Sequence, residues 1–93
     1  MFDLTGFQRD LLFVIAGLDD PHGTTIGDEL DDAHGPDINP GQLYPNLNKL
    51  ADEGFVDKRE VGSRLNEYRL TEQGREAVRE RHEWEEQYLG SSA

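Results

Sequence analysis

The sequence contains no cysteine, and it has no apolar run near the length that a membrane span requires. Without cysteine, neither a disulfide framework nor a thiolate metal site can form. A bilayer is crossed by about 20 apolar residues, and no signal peptide is apparent. The 93 residues favour one domain with a small core, to which a dimer interface could add. We therefore expect a single-domain cytoplasmic protein.

Lysine is also scarce. Seven of the nine basic residues are arginine and two are lysine, against 20 acidic residues and a net charge of −11. This balance resembles the proteins of organisms with molar salt in the cytoplasm. There the Debye length is roughly 3 Å, so the repulsion among carboxylates costs little. The alternative is an ordinary acidic protein that binds a basic partner.

The negative charge is unevenly distributed along the chain. Residues 1–38 hold nine acids and one base, and residues 71–93 hold six acids and three bases, whereas residues 39–70 hold five of each. The middle third is therefore nearly neutral, which would let it approach a polyanion. The paired acids 19–20 and 31–32 lie at predicted helix ends, with no nucleophile or glycine-rich phosphate loop nearby. The three histidines lack metal-ligand spacing, so we expect no enzyme, cofactor or metal site.

Two helices are predicted in the first third of the chain. Thr5 and Gln8 form a capping box for the first, which ends within residues 19–23. Thr24 or Thr25 caps the second, which Gly35 and Pro36 end. The inward-facing residues of the two helices are predicted to be Leu11, Leu12, Val14, Ile15, Leu18, Ile26, Leu30 and Ala33.

The stretch NPGQLYPNLNKL, residues 39–50, predicts a third helix with a proline inside it. Asn39 is the expected N-cap, Pro40 the first helical residue and Gly54 the left-handed residue after the helix. Its buried stripe is Leu43, Leu47 and Leu50. Pro45 either bends or loosens the first turn, or the helix begins later, near Leu43.

A β-hairpin and a fourth helix complete the pattern. A strand runs from Phe55 to about Val61, residues 62–66 turn, and residues 67–70 return. Thr71 caps a charged helix that reaches about Leu89. This order predicts an α+β, mainly α fold, the winged helix-turn-helix, in which the third helix enters the DNA major groove and the hairpin is the wing. Residues 1–70 would form the DNA-binding part, and residues 71–93 the dimerisation helix and tail.

The segment GQLYPNLNKLADEGFVDKRE, followed by EYRLTEQGREAV, closely resembles the PadR-like family of winged-helix transcriptional regulators. Leu43-Tyr44-Pro45, Gly54, Tyr68-Arg69-Leu70-Thr71 and Gly74 match the family pattern in order. The resemblance spans residues 41–78 and is closest to the short branch with one C-terminal helix. It implies a homodimer on a pseudo-palindromic operator, usually as a repressor, and a possible small aromatic effector.

The third helix and the wing carry the predicted DNA contacts. On a helical wheel Gln42, Pro45, Asn48 and Lys49 oppose the leucines. Amide side chains can contact adenine, and lysine can contact guanine or a phosphate. Proline can contact the methyl group of thymine. Tyr44 would bond a phosphate, and at least one of the neighbours Lys58 and Arg59 should face DNA. The full predicted set is Thr25, Gln42, Tyr44, Pro45, Asn46, Asn48, Lys49, Lys58, Arg59 and Arg64.

Trp84 and Tyr88 lie four residues apart on the last helix, which favours a dimer interface over an exposed monomer surface. Lining an effector pocket is the alternative for this pair. The terminal helices together give the predicted interface Leu11, Ile15, Val78, Arg81, Trp84, Tyr88 and Leu89.

The family's wing is usually richer in basic residues than GSRLN, residues 62–66. The poor wing and the acidic surface leave a rival function open, a winged-helix module that binds protein instead of DNA.

Overall fold

The computed structural model describes residues 3–34, 40–62 and 65–90. The elements in chain order are α1 (Gly6–Gly17), α2 (Gly23–His34), α3 (Pro40–Asp52), β1 (Val56–Glu60), β2 (Asn66–Leu70) and α4 (Glu72–Leu89). The strands pair antiparallel, with Val56 opposite Leu70 and Glu60 opposite Asn66. The mainly helical winged-helix architecture predicted from the sequence is confirmed.

The helix ends follow from local hydrogen bonds that the sequence predicts. The Thr5 hydroxyl accepts the backbone N–H of Gln8, and the Gln8 side chain accepts the backbone N–H of Thr5, each at 3.1 Å. After α3, Gly54 has φ +88°, and the N–H of Phe55 donates to the carbonyl of Leu50 at 2.9 Å. These bonds form a capping box and a Schellman motif. Thr71 caps α4 by accepting the Gly74 N–H at 3.0 Å.

Two details of the predicted helices are wrong, one open alternative is decided, and three predicted roles fall outside the described residues. The second helix begins at Gly23, so Thr24 and Thr25 lie in its first turn and do not cap it. Ala33 is exposed, because the inward stripe of α2 ends at Leu30. The third helix starts at Pro40 and continues through Pro45, which excludes a later start near Leu43. The predicted roles of Asn39, Gly35 and Pro36 fall on residues outside the described ranges.

One apolar cluster joins all the elements. The leucines 43, 47 and 50 of α3 are at most 5% exposed, as the stripe predicts. They pack with α1, α2 and the hairpin; the other members are Leu4, Leu11, Leu12, Ile15, Ile26, Leu30, Val56, Tyr68 and Leu70. The start of α4 joins the core through Gly74 and Ala77. Among the helices in the described ranges, none combines the length and apolar character needed to cross a membrane.

Candidate nucleic-acid interface

The outer face of α3 is polar and exposed. Gln42, Pro45, Asn48 and Lys49 are all exposed, while the three leucines on the other side are buried. The predicted division of this helix into a core side and a solvent side is therefore correct. Lys49 lies in the last turn, where the helix dipole favours a cation. The face offers amide, lysine and pyrrolidine groups, and it has no carboxylate before Asp52. Such groups can contact base edges and phosphates.

Asn46, predicted to contact DNA, is half-buried and bonded within the chain. Its Oδ1 accepts from Gln8 Nε2 at 3.0 Å, and its Nδ2 donates to the carbonyl of Gln42 at 2.7 Å. Both ends of the amide are thus bonded within the chain, to α1 and to α3, although the sequence predicted that Asn46 contacts DNA. Gln8 is the partner that sequence reasoning missed. Its capping role was visible in the pattern, but a bond to a residue 38 positions away was not.

The side chain of Tyr44, a residue of α3, packs against the beginning of α2. A β-carbon added at Gly23 would stand 2.6 Å from the Tyr44 ring, so the ring packs directly on the backbone of that glycine. Thr24 and Thr25 are exposed in the same first turn of α2. A helix N-terminus with hydroxyl groups beside it is a favourable site for a phosphate. The geometry brings the predicted residues Thr25 and Tyr44 to one part of the surface.

The two basic residues of β1 point to opposite faces of the hairpin. Lys58 pairs across the strands with buried Tyr68, and its Nζ donates to Asn48 Oδ1 of α3 at 3.0 Å. Arg59 lies on the other face, where it forms an ion pair with Glu67 at 3.1 Å. Of this predicted pair, Lys58 therefore adjoins α3, as expected if at least one of the two faces DNA, whereas Arg59 lies on the opposite face of the hairpin. Arg64 lies outside the described residues.

The loop between α1 and α2 is bonded to the wing. Asp20 accepts two hydrogen bonds from Arg69, from Nε and from Nη2, each at 3.0 Å. The Tyr68 N–H donates to the carbonyl of Pro21 at 2.9 Å. The hydrogen bonds from Arg69 hold the pKa of Asp20 below its ordinary value, while burial raises the pKa of the Tyr68 hydroxyl. These contacts fix β2 against the end of α1, a link that the sequence did not predict.

The end of α4 exposes apolar and aromatic side chains. Tyr88 is 70% and Leu89 73% exposed, and the rings of Trp84 and Tyr88 meet edge to face with centroids 5.1 Å apart. The Arg81 guanidinium lies 4.5 Å above the Trp84 ring. Leu11 and Ile15, predicted for the same interface, are buried within the chain's own core at 0% and 3% exposure. They have no surface left for a partner, and that part of the prediction is corrected.

A cavity of about 310 Å³ opens where α1, β2 and α4 meet. Its apolar wall includes Ile15, Leu18 and Val78, and the Asp20–Arg69 pair stands at its edge. Trp84 and Tyr88 do not line it. Within residues 3–34, 40–62 and 65–90 no cluster of three or more potential metal ligands occurs.

Comparison with known proteins places this architecture among transcriptional regulators. The chain is 39% identical over 62 residues to the transcriptional activator GvpE of the halophilic archaeon Haloferax mediterranei, covering 67% of this chain and 32% of that protein. It therefore spans about a third of the length of that curated relative.

Solved structures give closer matches over the whole length. The RosR structure of H. salinarum grown from NaBr superposes with a TM-score of 0.92 at 40% identity, covering 98% of this chain and 82% of that one. A complex structure, hsRosR-S1, gives 0.91 at 39% identity, covering 97% and 80%. F93 from STIV, a winged-helix DNA-binding protein, shares the fold at 23% identity and a TM-score of 0.73, covering 89% and 90%. The model of the transcriptional regulator PadR-like family matches residues 11–80, and the chain belongs to that family.

Proposed function

We propose that this protein is a dimeric, sequence-specific regulator that binds double-stranded DNA, with α3 in the major groove and the wing along the flanking backbone. The exposed polar face of α3 carries this proposal. It is free of acidic residues from Gly41 to Ala51, although the chain has a net charge of −11. Repulsion by phosphates would exclude most of this protein's surface from DNA, so the neutral face is the surface suited to approach it.

Each group on this face has a role that its chemistry supports. Gln42 and Asn48 would contact base edges, Pro45 a thymine methyl, and Lys49 a guanine or a phosphate. Thr25 and Tyr44 would bond phosphates and so fix the orientation of the protein on the duplex. Lys58 is placed to support Asn48 or to contact the backbone.

The test is a gel-shift and footprint assay on the DNA upstream of the gene, comparing the wild type with Gln42→Ala and Lys49→Ala. Loss of a base contact should weaken binding to the site by about tenfold or more. Loss of Lys49 should weaken binding to all sequences if it contacts a phosphate. Arg79→Ala, an exposed basic residue on α4, is the charge-matched control and should bind as the wild type does.

The rival function is a winged-helix module that binds protein. The acidic surface favours it, as does the ion pair that engages Arg59 on the outer face of the wing. If no DNA site is found at any salt concentration while a protein partner co-purifies, the rival replaces the DNA-binding proposal.

We propose that DNA binding depends weakly on salt, or requires high salt with cations bridging carboxylates and phosphates. Counterion release normally makes affinity fall steeply as salt rises. This protein has nine basic side chains against 20 acidic ones, so few basic groups are available to displace counterions from the phosphates. Titrations from about 0.1 M to about 3 M KCl measure the slope, and a steep loss of affinity would refute this part of the proposal.

We propose that the dimer forms through the end of α4, where Trp84, Tyr88 and Leu89 are exposed and Arg81 and Val78 flank them. Apolar surface of this kind is a common mark of an interface. Trp84→Ser with Tyr88→Ser should convert a dimer to a monomer in analytical ultracentrifugation. Glu86→Ser is the control, because it lies two residues after Trp84 and so on the opposite side of the helix. An unchanged mass in the double variant would contradict the interface.

Repression remains our proposal for the direction of regulation, with the operator overlapping the promoter. The relative GvpE is named an activator, so both directions occur among similar proteins. A reporter gene under the bound promoter should be more active when the protein is absent. Lower activity in its absence would make the protein an activator. A regulator of this kind works beside the chromosome, which is why we expect it in the cytoplasm.

A small aromatic effector is the remaining part of the proposal, and the cavity between α1, β2 and α4 is the place suited to hold it. Ligand pockets begin at about 300 Å³, and this one is about 310 Å³. The probe is anilinonaphthalene sulfonate, an aromatic anion that fluoresces in apolar sites. Leu18→Trp should fill the cavity and reduce the fluorescence, and equal fluorescence in the variant would place the probe elsewhere.

A further inference from the structure

Gln8 is a buried polar residue whose contacts extend beyond the helix that it caps. It is 4% exposed and lies in the first turn of α1, yet its side chain reaches α3. The Thr5 N–H donates to its Oε1 at 3.1 Å, and its Nε2 donates to Asn46 Oδ1 at 3.0 Å. Asn46 Nδ2 then donates to the carbonyl of Gln42 at 2.7 Å. Two side-chain amides therefore connect the N-terminus of α1 to the exposed face of α3.

The direction of this connection is fixed at both ends by the backbone. A backbone N–H can only donate, so the Gln8 atom that faces Thr5 must be the oxygen. A carbonyl can only accept, so the Asn46 atom that faces Gln42 must be the nitrogen. The middle bond then has one possible donor, Gln8 Nε2. Either amide in the flipped orientation would bring two donors or two acceptors together, which is unfavourable for groups removed from water.

The connection meets α3 beside a missing backbone hydrogen bond. Pro45 has no N–H, so the carbonyl of Gly41 lacks the partner that a regular helix would supply. Gln42 lies beside that gap, in the part of the helix that begins the exposed polar face. The hydrogen bond from the Asn46 side chain to the Gln42 carbonyl adds a constraint on this part of the helix. Without a fixed Asn46 amide, the first turn of α3 would have fewer constraints on its direction.

We propose that Gln8 is a positioning residue for DNA reading: it orients the Asn46 amide, which holds the Gln42 carbonyl and thereby fixes the start of α3, from Gln42 to Pro45. This inference rests on the proposed DNA-binding function. Gln8 itself is buried away from the face that meets DNA, so its effect passes through Asn46. A chain with the same helix but a free Asn46 would still bind DNA through its phosphates and would discriminate sequences less well.

The substitution Gln8→Glu separates this role from capping. Glutamate is as long as glutamine and serves equally well in a capping box, so one of its oxygens keeps the bond from Thr5. Its second oxygen faces Asn46 Oδ1, where glutamine had a donor. Asn46 must then turn its nitrogen towards the introduced carboxylate, and its bond to the Gln42 carbonyl is lost.

The binding test uses a duplex selected from a random library by the wild-type protein, and a shuffled duplex of the same composition. We expect Gln8→Glu to weaken binding to the selected duplex by about tenfold, the scale of one lost base contact. Binding to the shuffled duplex should change less than about twofold, since phosphate contacts remain. Gln73→Glu is the matched control, because it adds the same charge in the first turn of α4 and should leave the ratio of the two affinities unchanged.

A double-mutant comparison tests the route through Asn46. In an Asn46→Ala background, Gln8→Glu should have no further effect on the ratio. Nitrogen–proton spectra give a readout without DNA: Gln8→Glu should shift the side-chain amide of Asn46 and the backbone amide of Gln42.

Each outcome decides a different claim. If the variant loses equal affinity for both duplexes, or if the spectra of Asn46 and Gln42 do not change, Gln8 is only structural and the inference is overturned. If the wild type selects no sequence at all, the proposed function fails, and the positioning role fails with it.

Discussion

Asp20 combines an uncommon backbone conformation with a two-point contact to the wing. Its φ is +44°, in the left-handed region that aspartate and asparagine enter more easily than most residues. Both carboxylate oxygens accept from Arg69, and the pair is partly exposed, at 59% for Arg69 and 34% for Asp20. The hydrogen bond lowers the pKa of Asp20 and raises the pKa of Arg69. The contact thus joins the α1–α2 loop to β2 and depends on the charge of Asp20.

The pH dependence of stability in the Asp20→Asn variant should show how far the contact depends on this charge. Asparagine keeps the tolerance for the left-handed backbone and removes the charge. Because the pKa of Asp20 is lowered from 3.8 by folding, its charge contributes stability that is present above that ordinary value and is lost as pH falls through the lowered value. The wild type should therefore be more stable than the variant near pH 7, and the difference should narrow below about pH 4. Urea unfolding at both pH values measures it, and an equal difference at both would contradict the ion-pair explanation.

Two helical glycines provide a matched test of close packing. A β-carbon at Gly74 would overlap the carbonyl oxygen of Phe55, whereas one at Gly17 would meet nothing within 4 Å. Gly74→Ala should lower the free energy of unfolding by about 1–3 kcal/mol, because the start of α4 must move away from the hairpin. Gly17→Ala should be neutral or stabilising by up to about 1 kcal/mol. Thermal unfolding of both variants gives the comparison, and similar effects would show that backbone freedom, not contact, governs Gly74.

At the scale of elements, the sequence predicts what local chemistry decides. Capping residues and the Gly54 turn mark the helix ends, and the leucine spacing of α3 separates its buried side from its exposed side. The predicted cap of α2 was wrong: threonine is a good cap in general, but the helix already begins at Gly23, whose backbone packs against the Tyr44 ring. The hydrogen bond between Gln8 and Asn46 joins residues that are 38 positions apart in the sequence, and the bond between Arg69 and Asp20 joins residues that are 49 positions apart. Hydrophobic periodicity does not reveal pairs that lie so far apart.

Pro45 gives the prediction that belongs to α3. Replacing it with alanine restores an N–H for the Gly41 carbonyl and removes the ring from the helix interior. The free energy of unfolding should rise by about 1 kcal/mol, less than the full cost of an internal proline, because the unfolded chain also gains freedom. Lys49→Ala, exposed on the same helix, is the control that leaves the backbone bonds unchanged. Urea unfolding measures both, and a less stable Pro45→Ala would mean that the proline stabilises this helix.

At the scale of the whole molecule, the arrangement of charge separates two surfaces. The second helix exposes Asp28, Glu29 and Asp32, while α3 exposes amides and one lysine up to its last residue, Asp52. Twenty acids on a small domain repel one another, and this repulsion opposes folding until salt screens it. The similarity to proteins from Haloferax mediterranei and H. salinarum agrees with the interpretation of the composition as an adaptation to salt.

The stability of the protein should therefore increase with salt, and the acids of α2 should account for part of the increase. We expect the Tm of the wild type to rise by about 5 °C or more between about 0.1 M and about 2 M KCl, which corresponds to roughly 1 kcal/mol for a domain of this size. Asp28→Asn with Asp32→Asn removes two exposed charges and leaves the apolar core intact. Any strengthening of apolar contacts by salt is thus the same in both proteins, and the difference between them reports repulsion. The double variant should melt at a higher temperature at low salt and gain less from KCl. Parallel salt responses in the two proteins would mean that these carboxylates do not oppose folding, and that the acidic surface must be explained by its partners instead.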